Sequence, residues 1–149
     1  MQYYSYDEFR DDIKRLLENI DFQPEAIVAI SRGGLTIAHF LGIALDIRKV
    51  YTINVTSYTN KTKQSLEVSH IPEISGIDKI LLVDEIVDSG LSMQKVFKIL
   101  KEINSDSVIK TASIFYKETS CFKPDYYIRE AKSWIEFFWE VDISKEAKV

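Results

Sequence analysis

The chain has 149 residues, 46% of them hydrophobic and 28% charged, with a formal net charge of -4. That is the size of one domain with a real core, and the charge balance excludes the basic face that general nucleic-acid binding requires. The lone cysteine, Cys121, excludes an internal disulfide, and no apolar run approaches the length of a membrane span.

The N-terminal run MQYYSYDEFRDD is acidic and aromatic and lacks the basic and apolar regions of a secretory signal, so a cytoplasmic protein is expected. Ser5 and Glu8 form a Ser-x-x-Glu capping box. Behind it Tyr6, Phe9, Ile13, Leu16, Leu17 and Ile20 recur at helical spacing, and Pro24 marks the end of that helix. Ala26 to Ile30 reads as a strand feeding the turn Ser31-Arg32-Gly33-Gly34, and Leu35 to Leu45 as a helix. Val50 to Tyr58 alternates and is β-branched, which predicts a strand. Thr59 to Ser65 is polar without periodicity and reads as a mobile loop, followed by a short strand over Leu66 to Ile71. Ile80 to Val83 is an unbroken apolar run, the pattern of a strand buried on both faces. A helix with Met93, Val96, Phe97, Leu100 and Ile103 on one face follows, then a strand over Val108 to Tyr116. Pro124 to Arg129 and the cluster Trp134 to Trp139 close the ordered part, and the segment after Asp142 reads as a frayed tail. This order predicts a single α/β domain over 1–149, a mainly parallel central sheet flanked by helices.

The chemistry is concentrated in Ile80 to Ser92, ILLVDEIVDSGLS. The buried strand runs into Asp84 and Glu85, and ligands on parallel sheets bind beyond the carboxyl ends of the strands. Asp88, Ser89, Gly90 and Ser92 then supply a carboxylate, a conformationally free glycine and two hydroxyls at a helix start. Backbone N–H groups in such a place can hold a phosphate. Alone, the segment fits a metal site, a sugar site or a capped helix. His39 and His70 join no cluster that suggests zinc.

Ile80 to Ser92 resembles the signature of the type I phosphoribosyltransferases, an apolar strand, two acidic residues, two apolar residues, then Asp-Thr/Ser-Gly-x-Thr/Ser. Ser31-Arg32-Gly33-Gly34 resembles the pyrophosphate loop of the purine-salvage branch, and Ser57-Tyr58 the start of its flexible hood loop. Trp134-Ile135-Glu136 with Trp139-Glu140 is similar to the C-terminal hood of bacterial xanthine-guanine phosphoribosyltransferases and archaeal purine enzymes. The resemblance spans about Ala26 to Glu140.

It implies an Mg2+-dependent enzyme that joins phosphoribosyl pyrophosphate (PRPP) to a 6-oxopurine, as a homodimer or homotetramer with no nucleic-acid or membrane partner. Arg32, Gly33 and Gly34 would hold the pyrophosphate, and Asp84 and Glu85 the ribose hydroxyls and the metal. Ser89, Gly90, Leu91 and Ser92 would cradle the 5-phosphate, with Asp88 as general base. Lys117, Trp134 and Ile135 would form the purine site, within a hood over about 117–142. The segment at about 59–65 would close over the substrate, with Lys61 or Lys63 replacing a hood arginine near Gln64. The chain departs from the pattern at Glu85, where aspartate is usual, at Leu91, and at Phe138, where relatives tend to have proline. The rival readings are a phosphoribosyltransferase for another base, a non-catalytic PRPP- or nucleotide-sensing regulator of the same fold, and a receiver-like signalling domain.

Overall fold

The computed structural model describes residues 1–60, 63–141 and 143. Its elements are β1 (Gln2–Tyr4), α1 (Tyr6–Asn19), β2 (Ala26–Ser31), α2 (Leu35–Ala44), β3 (Val50–Asn60), β4 (Lys63–Ser69), β5 (Lys79–Val87), α3 (Leu91–Ile103), β6 (Val108–Tyr116), β7 (Arg129–Glu130) and β8 (Ile135–Phe137). The capping box forms as its sequence requires: Ser5 Oγ accepts the Glu8 N–H at 3.1 Å, and the Glu8 carboxylate accepts the Ser5 N–H at 2.9 Å.

The central sheet has the order β4-β3-β2-β5-β6-β7. All its neighbours are parallel except the β3–β4 hairpin at one edge. Strand alternation splits β2 and β5 between two cores. Ile27, Ala29, Leu81 and Val83 pack with α1 and α2, while Val28, Ile30, Ile80 and Leu82 pack with Met93, Val96 and Leu100 of α3. Both faces of the middle strands are therefore covered, which explains the unbroken apolar runs in the sequence.

Two segments differ from the sequence reading. Thr59 to Ser65 belongs largely to the hairpin, with Tyr58 paired to Ser65, Thr59 to Gln64 and Asn60 to Lys63. Polar residues sustain this ladder because an edge hairpin need not bury its faces. The chain termini hold the second difference. Gln2–Tyr4 forms a strand that pairs in parallel with β8, giving a separate two-stranded sheet. Three residues are too few to show a period, and their partner lies at the far end of the sequence.

Asp12 fastens this small sheet to the body. Its buried carboxylate accepts the Tyr4 hydroxyl at 2.6 Å and the Arg129 Nε–H at 2.6 Å. Arg129 also pairs with Glu8 at 3.5 Å and lies over the Tyr4 ring, 5.4 Å from its centroid. The hydrogen bond to Asp12 holds the Arg129 guanidinium even more firmly protonated than usual. Burial, then the Asp12 bond, pushes the Tyr4 hydroxyl far above its ordinary range. Tyr4 further packs edge-on against Phe9, Phe115 and Phe137.

Removing one partner of such a network leaves the others unsatisfied. Asp12→Ala is expected to lower unfolding stability by about 3 kcal/mol in urea titrations. A loss under about 0.5 kcal/mol, the size of an ordinary surface change, would show that the network is not what fastens β1 and β7.

Candidate active site

Strand β5 runs past the apolar stretch to Val87, so Asp84 and Glu85 are strand residues at its carboxyl end. Asp84 is buried, and its carboxylate accepts the Glu85 N–H at 2.9 Å. Burial, then the neighbouring Glu85 charge, raises the Asp84 carboxyl well above the usual range. Burial also pushes Glu85 up to about 7, and the Glu140 carboxylate adds to the effect.

Between β2 and α2 the Ser31–Arg32 peptide is cis, and the next residue touches the acidic pair. A Cβ on Gly33 would fall on the Glu85 carboxylate. A Cβ on Gly34 would come within 2.6 Å of the Val83 carbonyl oxygen and 3.2 Å of the Asp84 Cα. Glycine at both positions thus lets the turn lie directly on the end of β5. The turn and the acidic pair predicted from distant sequence positions are in contact. Arg32 is exposed at this turn.

Val87 to Ser92 forms the second part. Gly90 adopts φ 87 at the start of α3, a left-handed conformation that favours glycine. Ser89 Oγ accepts the Leu91 N–H at 3.3 Å, and the Leu91 side chain is exposed. Asp84, Glu85, Asp88, Ser89, Gly90 and Ser92 line a concavity of about 200 Å3 over the helix start.

A larger cavity of about 410 Å3 adjoins it. Its walls include Asp88, Lys117, Trp134 and Ile135. Glu85, Ile86 and Asp88 line both cavities, so the two are contiguous. Asp88 and Lys117 form an ion pair at 3.6 Å where they meet, and both side chains are at least half exposed. Trp134 is 77% exposed, which leaves its ring free as a stacking surface.

The pairing of β8 with β1 distinguishes the two hood carbonyls. The Gln2 N–H donates to the Trp134 carbonyl at 2.8 Å. Backbone carbonyls alternate in direction along a strand, so the Ile135 carbonyl faces away from β1. Of the two, Ile135 is the one turned from the ladder.

Lys132, Ser133, Phe137 and Glu140 also line the larger cavity. Phe137 was legible as the next inward position of the alternation Ile135-Glu136-Phe137, whereas Lys132 and Ser133 carried no signal beyond proximity to Trp134. The Phe137 N–H donates to the Glu140 carboxylate at 3.3 Å, so Glu140 closes the hood strand against a single 3-10 turn over Phe138–Glu140. Ser57 and Tyr58 are exposed on the hairpin. Lys61, Asp142, and the side chains of Lys63 and Gln64 lie outside the described residues. His39 stands edge-on to Phe40, and His70 follows β4 with φ 54, both away from these cavities.

Among the described residues, no group of three or more His, Cys, Asp or Glu side chains could hold a metal. Asp84 and Glu85 still fit one kind of ion. Magnesium typically takes one or two protein carboxylates and completes its shell with water and substrate phosphates. Buried Asp84 and half-buried Glu85, both raised in pKa, would gain from the positive charge that such an ion supplies.

A family model described as phosphoribosyl transferase domain matches residues 2–146. The chain is 33% identical over 148 residues to a xanthine-guanine phosphoribosyltransferase of Cereibacter sphaeroides, covering 92% of this chain and 85% of that one. The structure of Helicobacter pylori xanthine-guanine-hypoxanthine phosphoribosyltransferase superposes with a TM-score of 0.89 at 42% identity, covering 95% of this chain and 94% of that one. A purine phosphoribosyltransferase from Pyrococcus horikoshii superposes with a TM-score of 0.83 at 27% identity, covering 97% of each chain. No helix among the described residues is long and apolar enough to cross a membrane.

A raised carboxyl pKa has a definite stability signature. Glu85 binds its proton more tightly folded than unfolded, so unfolding free energy is expected to fall as pH rises from about 4.5 to about 7. Asp84 contributes with the same sign. Glu85→Gln should flatten this decline in metal-free urea titrations across that window. An equal slope in the variant would show that the Glu85 carboxyl is not strained by its surroundings.

Proposed function

The chain belongs to the phosphoribosyltransferase family, in its purine-salvage branch, and we propose that it transfers the 5-phosphoribosyl group of PRPP to a 6-oxopurine. The acceptor is hypoxanthine, guanine or xanthine, and the products are a nucleoside 5′-monophosphate and pyrophosphate. The observation that carries this reading is the contiguity of the two cavities at Asp88. One has the small-residue helix start suited to a phosphate, and the other has an exposed indole suited to a purine face.

The 5-phosphate lies over Ser89, Gly90, Leu91 and Ser92, held by N–H and hydroxyl donors at the start of α3. The ribose reaches back along β5 to Asp84 and Glu85. Asp84 and Glu85 would also hold Mg2+, which would supply positive charge to the pyrophosphate leaving group. Arg32 and the N–H groups of Gly33 and Gly34 bind the pyrophosphate at the neighbouring turn. The anomeric carbon then lies near the junction of the cavities, where oxocarbenium character develops as its bond to pyrophosphate breaks.

On the other side the purine stacks on Trp134. Lys117 donates to the 6-oxo group, for which its ammonium leaves Asp88, and Asp88 accepts the ring proton as the nitrogen attacks. The Ile135 carbonyl, facing away from β1, receives a donor on the purine edge. A further part of this reading is closure of the β3–β4 hairpin over the ligands, which excludes the water that competes as nucleophile. Further copies of the chain complete a homodimer or homotetramer.

Incubation with PRPP, magnesium and each purine in turn should yield a monophosphate and pyrophosphate with at least one base. Tight PRPP or nucleotide binding without turnover on any base would instead identify a regulator that retains the fold. In the active protein, Asp88→Asn should reduce kcat by roughly a hundredfold or more while PRPP affinity stays within about twofold. Lys117→Ala should raise the purine KM more than the PRPP KM. Equal weakening of both would remove Lys117 from the base site.

A further inference from the structure

We propose that Ser120 is a positioning residue for the phosphate-binding loop, an inference that rests on the phosphoribosyl-transfer reading. Its hydroxyl sits where a side chain on Gly90 would have to go: a Cβ there would collide with Ser120 Oγ and come within 2.7 Å of the Phe122 nitrogen. The turn from Lys117 to Phe122 therefore forms a floor beneath Gly90.

That floor is tied down through Lys117, Ser120, Cys121 and Phe122. The Lys117 N–H donates to the Val87 carbonyl at 2.9 Å, and the Ser120 N–H to the Lys117 carbonyl at 2.9 Å. The Cys121 N–H donates to the Ser89 carbonyl at 2.9 Å, a direct bond to the phosphate loop. Ser120 Oγ accepts the Phe122 N–H at 3.1 Å and donates to the Phe122 carbonyl at 2.9 Å. The Phe122 ring then packs against Phe97 of α3, with centroids 5.8 Å apart.

The arrangement has a functional reason in the geometry of Gly90. Its positive φ turns the backbone so that successive N–H groups start α3 over the cradle, and Gly90 as the N-cap offers no side chain of its own, the Leu91 N–H alone being taken by Ser89 Oγ. The N–H groups aim at a phosphate only if the left-handed turn is supported from below. Ser120 supplies that support and fixes the spacing between Gly90 and the Phe122 backbone. It touches neither ligand, so its effect should appear in ground-state binding of the phosphate end and leave the chemical step alone.

The test is Ser120→Ala, read by initial rates at varied PRPP and purine, with calorimetric PRPP binding and a thermal melt of each protein. The PRPP KM and Kd should each rise about fivefold or more, the loss expected for one supporting hydrogen bond. The purine KM and kcat should stay within about twofold, and the melting temperature within a few degrees. Gly90→Ala probes the same contact from above and should also raise the PRPP Kd. Combined with Ser120→Gly, which clears the hydroxyl, its loss should be less than the product of the two single losses. Unaltered PRPP affinity in Ser120→Ala, equal loss of both substrates, or strictly multiplying losses would overturn the inference. Absence of PRPP binding by the unsubstituted protein would overturn the functional reading itself, and this inference with it.

Discussion

Two carboxylates at the end of a buried strand impose the constraint around which the site is arranged. Asp84 and Glu85 are adjacent, largely removed from water, and both raised in pKa by that burial. A plain core would not keep them, because burying like charges costs free energy that packing does not return. Their surroundings have been cleared to hold them. Gly33 and Gly34 offer only backbone, so the turn after β2 lies against the Glu85 side chain without a Cβ between them. The site is polarised before any ligand arrives, and a cation beside Asp84 and Glu85 would relieve both raised carboxyls.

The second requirement is a wall facing that polarised edge, and it comes from the two ends of the chain. β8 carries Ile135 and Phe137 into the larger cavity, yet three residues form no stable strand alone. β1 supplies the missing partner, and Tyr4, Asp12 and Arg129 fix β1 to the first helix and to β7. The wall is thus held by a buried polar network some distance from the chemistry. The separation lets the exposed Trp134 face solvent without the hood losing its place.

Much of this was legible in the sequence. The apolar runs at Ala26 to Ile30 and Ile80 to Val83 announced a doubly covered parallel sheet, because no half-exposed strand is written that way. Ser5 and Glu8 announced the first helix by a local hydrogen-bond exchange that the structure contains. Asp84, Asp88 and Gly90 announced a ligand-facing strand end by residue type and spacing. What stayed hidden was non-local. The pairing of Gln2 with Ile135, the partnership of Asp12 with Arg129, and the contact of Gly33 with Glu85 each join residues whose neighbourhoods carry no mark of the other. The polar hairpin was hidden for another reason: at a sheet edge the ladder forms through backbone bonds, and side-chain pattern barely constrains it.

The pairing of β1 with β8 also sets an order of events during synthesis. Gln2 leaves the ribosome well before its partner Ile135, which follows about 130 residues later, a separation at which loop closure is slow and entropically costly. The strands of the central sheet up to β6 can pair in the meantime. A nascent chain halted before β8 could therefore complete the phosphate-facing half of the site while β1 waited, unpaired, with Tyr4 open to solvent. Translation of β8 would add the purine-facing wall, pair that strand and bury Tyr4 in one step.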